Sequence, residues 1–448
     1  MSADLTGVSV LVAGAGLAGL VAARDLARWG AAVTVIEARD RVGGRVHTIR
    51  DGFVDNQHAE SGGDMIDESQ QEIRTLARDL GLTLVPILKN GWGAVRSGPD
   101  GKPRLASRSI VNGWQRLSGA LAEMCEPYRL AEKRWDSPIA SDLGRRSVAE
   151  WLDAAHADDD LRATAMSLRG FFLADPDELS LLALIDQFAT DGDAPRGAMY
   201  RVKGGNDQLA SKMAAGLGDR VHCSSEVVAV SQRGRRVRVA VKQARTSSNV
   251  TVDYLIFALP ATLLRRIPIT PALPVRQHDA IARLKYGRGT KTLLQFSRRF
   301  WRGPKRPDGF GSALPFGAAW DGNEEQRGRP GILSLLAGGS ASDATASVMA
   351  KDGIGGLARS LDWLGASGAD LVGWRQHRWE ADPLARGGYA IFDASYDPSL
   401  RGWLTQPHGR MFFAGEHTSF AYQGYMNGAI ESGRRAAAEL AATHRLST

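Results

Sequence analysis

The chain of 448 residues is 43% hydrophobic and 23% charged, ordinary globular material with enough apolar content for two large domains. Its 56 lysines and arginines against 49 acids leave a net charge of +7, too thinly spread to argue for nucleic acid, and no run approaches the ~18 apolar residues of a membrane span. Cys125 and Cys223 have no partner spacing for a metal site or a disulfide framework and suit a reducing compartment.

In chain order, a β-branched strand from Val8 breaks at Gly14, Gly16 and Gly19 into an alanine-rich helix over Leu20–Trp29, then a second strand, Ala32–Ile36, that ends on Glu37. This is a β-α-β unit suited to a dinucleotide. Gly14 permits the tight turn, Gly16 lets a pyrophosphate reach the N–H groups of the helix start at Leu17 and Ala18, and Gly19 lets helix and strand pack closely. Glu37 stands about 20 residues on, where an acid accepts the ribose hydroxyls.

The second strand runs on into Glu37-Ala38-Arg39-Asp40-Arg41-Val42-Gly43-Gly44-Arg45. A second glycine pair beside three arginines brings backbone and fixed positive charge to the same pyrophosphate from the opposite side, which suits FAD better than a dissociating nicotinamide. The run resembles that of the flavin-containing amine oxidase family. The resemblance implies an α/β fold, with a discontinuous Rossmann-like FAD-binding domain (1–88, 200–285 and 404–448) and a mixed-sheet plus helical substrate domain (89–199 and 286–403). The first apolar stretch has no basic region before it and no C-terminal anchor is evident, so a soluble, cytoplasmic protein is expected.

A glycine pair, Gly62-Gly63, precedes Asp64-Met65 and a helix over Glu68–Leu80 closed by Gly81. In the family this segment lies against the flavin ring. Asp64, Asp67 and Glu68 are read as solvated acids at a helix start, with attraction of a polyamine as the alternative. From Lys89 to Tyr200 the pattern is mainly helical, with a capping box at Ser147–Glu150 and, at Asp175–Glu178, an N-cap, a proline at N1 and a glutamate at N3 ahead of Leu179–Phe188. This insertion is expected to cover the substrate cavity. Val221–Val230 reads as a strand on which the resemblance places the backbone of Val227 at the adenine. Arg233–Arg238 is a hairpin with a solvated strand face, and the Gly/Pro/Arg-rich stretch Arg302–Gly331 is expected to be a mobile loop.

Tyr286–Phe296 reads as a strand carrying one lysine, Lys291, among apolar neighbours. It resembles the family strand whose lysine holds a water against flavin N5. A buried ammonium costs several kcal/mol unless paired, so a lowered pKa is expected, low enough that the lysine could sit neutral and hydrogen-bond a water that assists imine hydrolysis or reoxidation by oxygen. The segment Trp379–Tyr389 resembles the one that brings an aromatic residue to the flavin face, and Gly388 stands where covalent-flavin members have a cysteine, implying non-covalent FAD. Arg410–His417 is a strand running into a turn at Gly415 and Glu416. Gln423–Gly433, with Gly424, Tyr425 and Met426, opens a helix running to about His444. By resemblance Gly415 and Glu416 meet the phosphate and ribityl groups, with Glu416 accepting from hydroxyl or N–H donors. A helix N-terminus there favours negative charge on the reduced ring.

Tyr389 and Tyr425 are then expected on either side of the substrate nitrogen, as the paired aromatics stand in monoamine oxidases, keeping the amine desolvated and neutral. The expected reaction is oxidation of an amine to an imine by FAD, hydrolysis of the imine, and reduction of O2 to hydrogen peroxide. An L-amino-acid oxidase would add an arginine for the carboxylate. Asp64-Met65-Ile66 stands where some members place it, leaving Arg386 or another arginine as a substitute. A flavin dehydrogenase or desaturase and a non-catalytic FAD-binding protein are the other classes. No metal, nucleic-acid or membrane partner is expected, no His-carboxylate pair is evident beside the motifs, and a homodimer is left open.

Overall fold

The computed structural model describes residues 4–97, 100, 102–106, 109–191, 197–304 and 306–447. Strand β1 (Ser9–Ala13) lies in the middle of a five-stranded parallel sheet, in the spatial order Val221–His222, β2 (Ala32–Ile36), β1, Tyr254–Phe257 and Met411–Phe413. Parallel strands buried on both faces carry continuous apolar runs rather than alternation, as Val10–Ala13 and Tyr254–Phe257 do. Helix α1 (Leu17–Arg28) leaves the end of β1 and packs against the C-terminal helix, Met426–Ser447. Their approach is close: a Cβ on Gly433 would lie 2.2 Å from the Ala18 carbonyl oxygen. The carboxyl ends of β1, β2, Tyr254–Phe257 and Met411–Phe413 open on one side, where ligands bind in such sheets.

A second, seven-stranded sheet runs in the order Leu371–Arg378, β3 (Gly289–Phe296), Gly331–Gly338, Ala318–Asp321, Gly309–Gly311, Trp92–Ser97 and Pro103–Ala106. It is antiparallel except where Gly309–Gly311 runs parallel to Trp92–Ala94. Every residue of β3 is buried, Lys291 included. The helices Ser109–Leu130, Pro138–Gly144, Val148–Ala154, Asp159–Ser167, Arg169–Phe172 and Leu181–Asp191 form the insertion. Among the described residues no helix is long and apolar enough to cross a membrane.

Four sequence expectations give way to the structure. The stretch Arg302–Gly331 is not a free loop, because it supplies two strands to the middle of the second sheet. These strands are only three and four residues long, too short for a periodic pattern, and Gly309 is where the Trp92 ring packs, 2.4 Å from a would-be Cβ. The start of the supposed helical region, Trp92–Ala106, is a strand pair. Asp175–Glu178 is an isolated turn, with the N–H groups of Glu178 and Leu179 both donating to the Asp175 carbonyl; the helix begins at Leu181, and the Asp175 carboxylate accepts from the Ser340 N–H instead (2.7 Å). The strand from Val221 breaks at Ser224 (φ +52°), so that Val221–His222 completes the parallel sheet and Ser225–Arg233 begins another. The capping box forms as expected, with the Glu150 N–H donating to Ser147 Oγ at 3.1 Å and the Ser147 N–H to Glu150 Oε2 at 2.7 Å.

Two glycine substitutions should have opposite signs. Gly433→Ala drives a methyl into the Ala18 carbonyl and should cost about 1–3 kcal/mol by forcing two helices apart. Gly119→Ala, on an exposed helix face with open space around it, should instead gain about 0.5–1 kcal/mol. Thermal unfolding of the two variants checks both signs.

Candidate cofactor and active site

One continuous cavity runs from the end of β1 to the aromatic side chains of the insertion. At its first end two glycine runs meet. Gly14 (φ +104°) turns against Ala258, whose carbonyl oxygen would lie 2.7 Å from an added Cβ, and a Cβ on Gly19 would lie 1.9 Å from the Gly14 oxygen. The Gly43 N–H donates to the Ala15 carbonyl (2.8 Å), and Gly44 faces Gly16 with 3.6 Å between a would-be Cβ and the Gly16 Cα. The result is a cradle of bare backbone that side chains would fill. No side chain caps α1, and Gly16, Leu17 and Ala18 line the cavity, so its first amides suit an anion.

Glu37 ties the two runs together by accepting from the Ala15 N–H at Oε2 and the Arg39 N–H at Oε1, both at 2.8 Å, and it lines the same wall with Ala38 and Arg39. Arg45 Nη1 donates to Glu416 Oε1 (2.9 Å) and to the Gly388 carbonyl (2.6 Å). Glu416 also accepts from the backbone N–H groups of Ala390 (3.2 Å) and Gly424 (3.0 Å), so its donors are an arginine and amides. Backbone cradle, bare helix start and Arg45 together fit the pyrophosphate of FAD, while the Arg39 side chain, which lines the same wall, donates to Asp382 at 2.9 Å. Neither cysteine lines the cavity and Gly388 offers no thiol, which agrees with non-covalent binding. Of the expected cofactor residues, Gly14, Gly16, Leu17, Ala18, Glu37, Ala38, Arg39, Gly43, Gly44, Arg45, Gly62, Gly63, Asp64, Met65, Gly415, Glu416, Gly424, Tyr425 and Met426 line the cavity. Gly19 stands behind the wall as a packing residue. The Val227 side chain enters the core opposite Val241, and Val227 is not among the lining residues.

At the second end the Gly62-Gly63 segment is wedged between Arg45 and Met426, a Cβ on Gly62 coming within 1.9 Å of the Arg45 carbonyl. This wedge carries Asp64 into the interior, which overturns its reading as a solvated acid. Asp64 is buried, and four donors converge on it. Lys291 Nζ (2.8 Å) and Trp320 Nε1 (2.9 Å) donate to Oδ2, Arg201 Nε (2.8 Å) donates to Oδ1, and the Asn206 amide (2.7 Å) donates to the backbone carbonyl. Lys291 Nζ also donates to the Gly62 carbonyl (3.2 Å). Arg201 reaches on to Glu325 Oε2 (2.8 Å), and buried Glu60 accepts from Thr48 Oγ1 (3.0 Å) and the Asn206 N–H (2.8 Å). Burial works against the Asp64 carboxylate, but Arg201 and Lys291 outweigh it and hold its pKa below the usual carboxylate range. Burial pulls Lys291 below the usual lysine range against the attraction of Asp64. Burial, with Asp64 adding repulsion, pushes Glu60 up to about 7.

Tyr389 and Tyr425 line this end with Trp135, Phe171, Phe172, Leu173, Trp320 and Phe392. Tyr389 is anchored through its hydroxyl to the Phe171 carbonyl, and Gly424 closes on its ring, 3.3 Å from a would-be Cβ. Tyr425 is 40% exposed and reaches Gln187 Oε1 at 3.4 Å. Arg386 is exposed and outside the lining, and the lining arginines, 39 and 45, both belong to the cofactor end. A His-carboxylate pair does exist, His377 Nε2 to Asp382 Oδ2 at 3.1 Å, but it lies outside the cavity. Sequence reasoning missed Trp320 and Arg201. The tryptophan lay in the stretch taken for a loop. The arginine stands on a strand where a charge signals solvent, yet its side chain is 1% exposed.

A Rossmann-type cradle opening onto an aromatic chamber with a buried lysine defines a flavin-dependent oxidoreductase. The chain belongs to the flavin containing amine oxidoreductase family, whose model matches residues 17–441. It is 31% identical over 457 residues to a Mycobacterium tuberculosis protein that carries the name flavin-containing monoamine oxidase AofH, covering 97% of each chain. It is 28% identical to amine oxidase [flavin-containing] A of Sus scrofa, over 97% of this chain and 85% of that one. Among solved structures it is similar to wild-type putrescine oxidase bound to putrescine (25% identity, TM-score 0.83, 97% and 99% of the two chains). The fold of cyclohexylamine oxidase from Brevibacterium oxydans IH-35A also matches (24% identity, TM-score 0.86, 98% and 99%).

Arg45→Met removes a charge-assisted bond across the cavity and the charge facing the phosphates. FAD retention should weaken by about 10–100-fold, measured as the dissociation constant of the reconstituted flavin. Glu60 binds its proton more tightly folded than unfolded, so its contribution to stability is present below its unfolded pKa of 4.5 and is lost as pH rises through about 7. Glu60→Gln keeps the acceptor without the charge. Its melting temperature relative to wild type should therefore be higher at about pH 8 than at about pH 5; an equal difference at both refutes the assignment.

Proposed function

We propose that the protein oxidises a small amine, presented in its neutral form, to an imine that water hydrolyses to a carbonyl compound and ammonia or a smaller amine. Bound FAD supplies the hydride acceptor at N5, and the electron pair passes on to O2 to give hydrogen peroxide. The observation that carries this reading is the chamber itself, aromatic on several sides, holding Tyr389 and Tyr425, and with no arginine at its substrate end.

The protein's part is orientation and desolvation. Tyr389, tethered to Phe171, supplies a fixed ring face; Tyr425, on the residue before the C-terminal helix, supplies a second wall nearer solvent. Rings that exclude water raise the cost of carrying an ammonium, so the uncharged amine, whose nitrogen lone pair assists loss of hydride from the α-carbon, is the form selected. No arginine lines the substrate end for a carboxylate, and Lys291, the cation that does line it, is already paired with Asp64. Two buried arginines stand near this end, Arg201 committed to Asp64 and Glu325 and Arg401 packed behind Trp135 and Phe392 and paired with Asp186; neither lines the chamber, which ranks amines above amino acids.

Anaerobic addition of amines and amino acids to the flavin-loaded protein tests the reading. An amine should bleach the visible flavin bands, with peroxide forming when air is admitted, while amino acids leave the bands unchanged. Bleaching by amino acids alone would reassign the substrate class. Tyr425→Ala should slow reduction by the same amine by about 10-fold while the flavin stays bound.

A further inference from the structure

The two acceptors on Lys291, the Asp64 carboxylate at 2.8 Å and the Gly62 carbonyl at 3.2 Å, take two of the three hydrogens an ammonium carries. The side chain is 3% exposed and lines the cavity, so the third hydrogen is the one left for the chamber. Trp320 covers the head from the side, its ring centroid 4.8 Å from Nζ, and its indole N–H shares Asp64 Oδ2.

Charge balance favours the ammonium form of Lys291. The ionic neighbours are Asp64, Arg201 and Glu60, with Glu325 beyond Arg201. Arg50 faces Glu60 but is paired with Asp207, and Arg299 faces Glu325 but is paired with Asp321. Burial lowers the pKa of His58 near Glu325, and His377, opposite Lys291 in the sheet register, bonds Asp382 instead. With Glu60 protonated, Asp64 and Glu325 carry two negative charges and Arg201 one positive charge. A protonated Lys291 makes the group neutral, whereas an uncharged lysine leaves an uncompensated charge in a dry region, the costlier arrangement. Ionising Glu60 as pH rises adds negative charge and favours the ammonium further.

We propose that Asp64 is a positioning residue that keeps Lys291 as an ammonium and aims its remaining N–H into the chamber. Lys291 is then a fixed positive donor, able to hold a water or a reduced oxygen species, and not a base that accepts a substrate proton. Arg201 and Trp320 belong to the same device, since they fill the remaining acceptor sites of Asp64 and fix its orientation. The chemical role rests on the oxidase reading above; the charge state and its cause do not.

The test is made on protein with and without FAD, labelled with 15N at the lysine side chains. The Lys291 Nζ signal, identified by its loss in Lys291→Met, should sit at the ammonium position from about pH 6 to about pH 9, and Asp64→Asn should move its midpoint down by about 1–3 pH units. Asp64→Glu should restore the wild-type midpoint, and Trp320→Phe, which removes a neutral donor, should not lower it. A neutral Lys291 in the wild-type protein near pH 7, or a midpoint unmoved by Asp64→Asn, overturns the proposal, and the wild-type reading stands even if the variant does not fold. The pH profile of flavin reoxidation in air should shift with the same midpoint. Because the apoprotein signal needs neither substrate nor turnover, a failure of this test is separable from a failure of flavin to bleach with amines.

Discussion

Two glycine runs meet at the carboxyl end of β1, with Gly43 hydrogen-bonded to Ala15 and Gly44 facing Gly16, and this contact sets the position of everything around it. A polyphosphate is held best by backbone amides and a bare helix start, and backbone can approach that closely only where Cβ atoms are missing. The same economy of side chains extends outward: Gly19 lets α1 lie on β1, Gly62 lies under Arg45, and Gly433 lets the C-terminal helix lie on α1. Each close approach brings a different part of the chain to one cavity.

Charge holds those parts in register. Arg45 from the segment after β2, Glu416 from the turn after the last parallel strand, and the amides of Ala390 and Gly424 form one hydrogen-bonded group across the cavity. Asp64 does the same deeper in, joining Lys291 and Trp320 of the seven-stranded sheet to Arg201 of a small three-stranded sheet formed by Ile66–Asp67, Met199–Val202 and Leu84–Ile87. Buried pairs of this kind give little net stability, but removing one member strands the others, so they fix where the small sheet carrying Arg201 sits against the seven-stranded one.

The aromatic end is held by packing and by one buried cation, Arg401, which stacks on Trp135, Phe392 and Phe420 and pairs with Asp186 at 3.4 Å. The insertion supplies Phe171 and Phe172 from a helix and Leu173 from the turn that ends it, and the Tyr389 hydroxyl bonds the Phe171 carbonyl, so substrate space is shaped by the part of the chain with the weakest sequence signature. Exposure of Tyr425 and Phe420, at 40% and 48%, marks the side on which this chamber approaches solvent.

The amino-acid sequence determined the nucleotide half almost residue by residue, because close backbone approach demands glycine at fixed positions and a parallel strand demands an unbroken apolar run. Ala32–Ile36, Gly14, Gly16, Gly43, Gly44 and Glu37 were all legible for that reason. The lysine strand and both tyrosines were legible as a pattern shared with a family, and the structure brings all three to one cavity. Long-range packing settled the remainder. Strands of three and four residues hid in a Gly/Pro-rich stretch, Ser224 turned one expected strand into two, and Asp175 served Ser340 instead of its own helix. Above all, the state of Asp64 was not readable locally. An acid near a helix start is solvated by default, and only the arrival of Lys291, Arg201 and Trp320 from distant strands makes it a buried counter-ion.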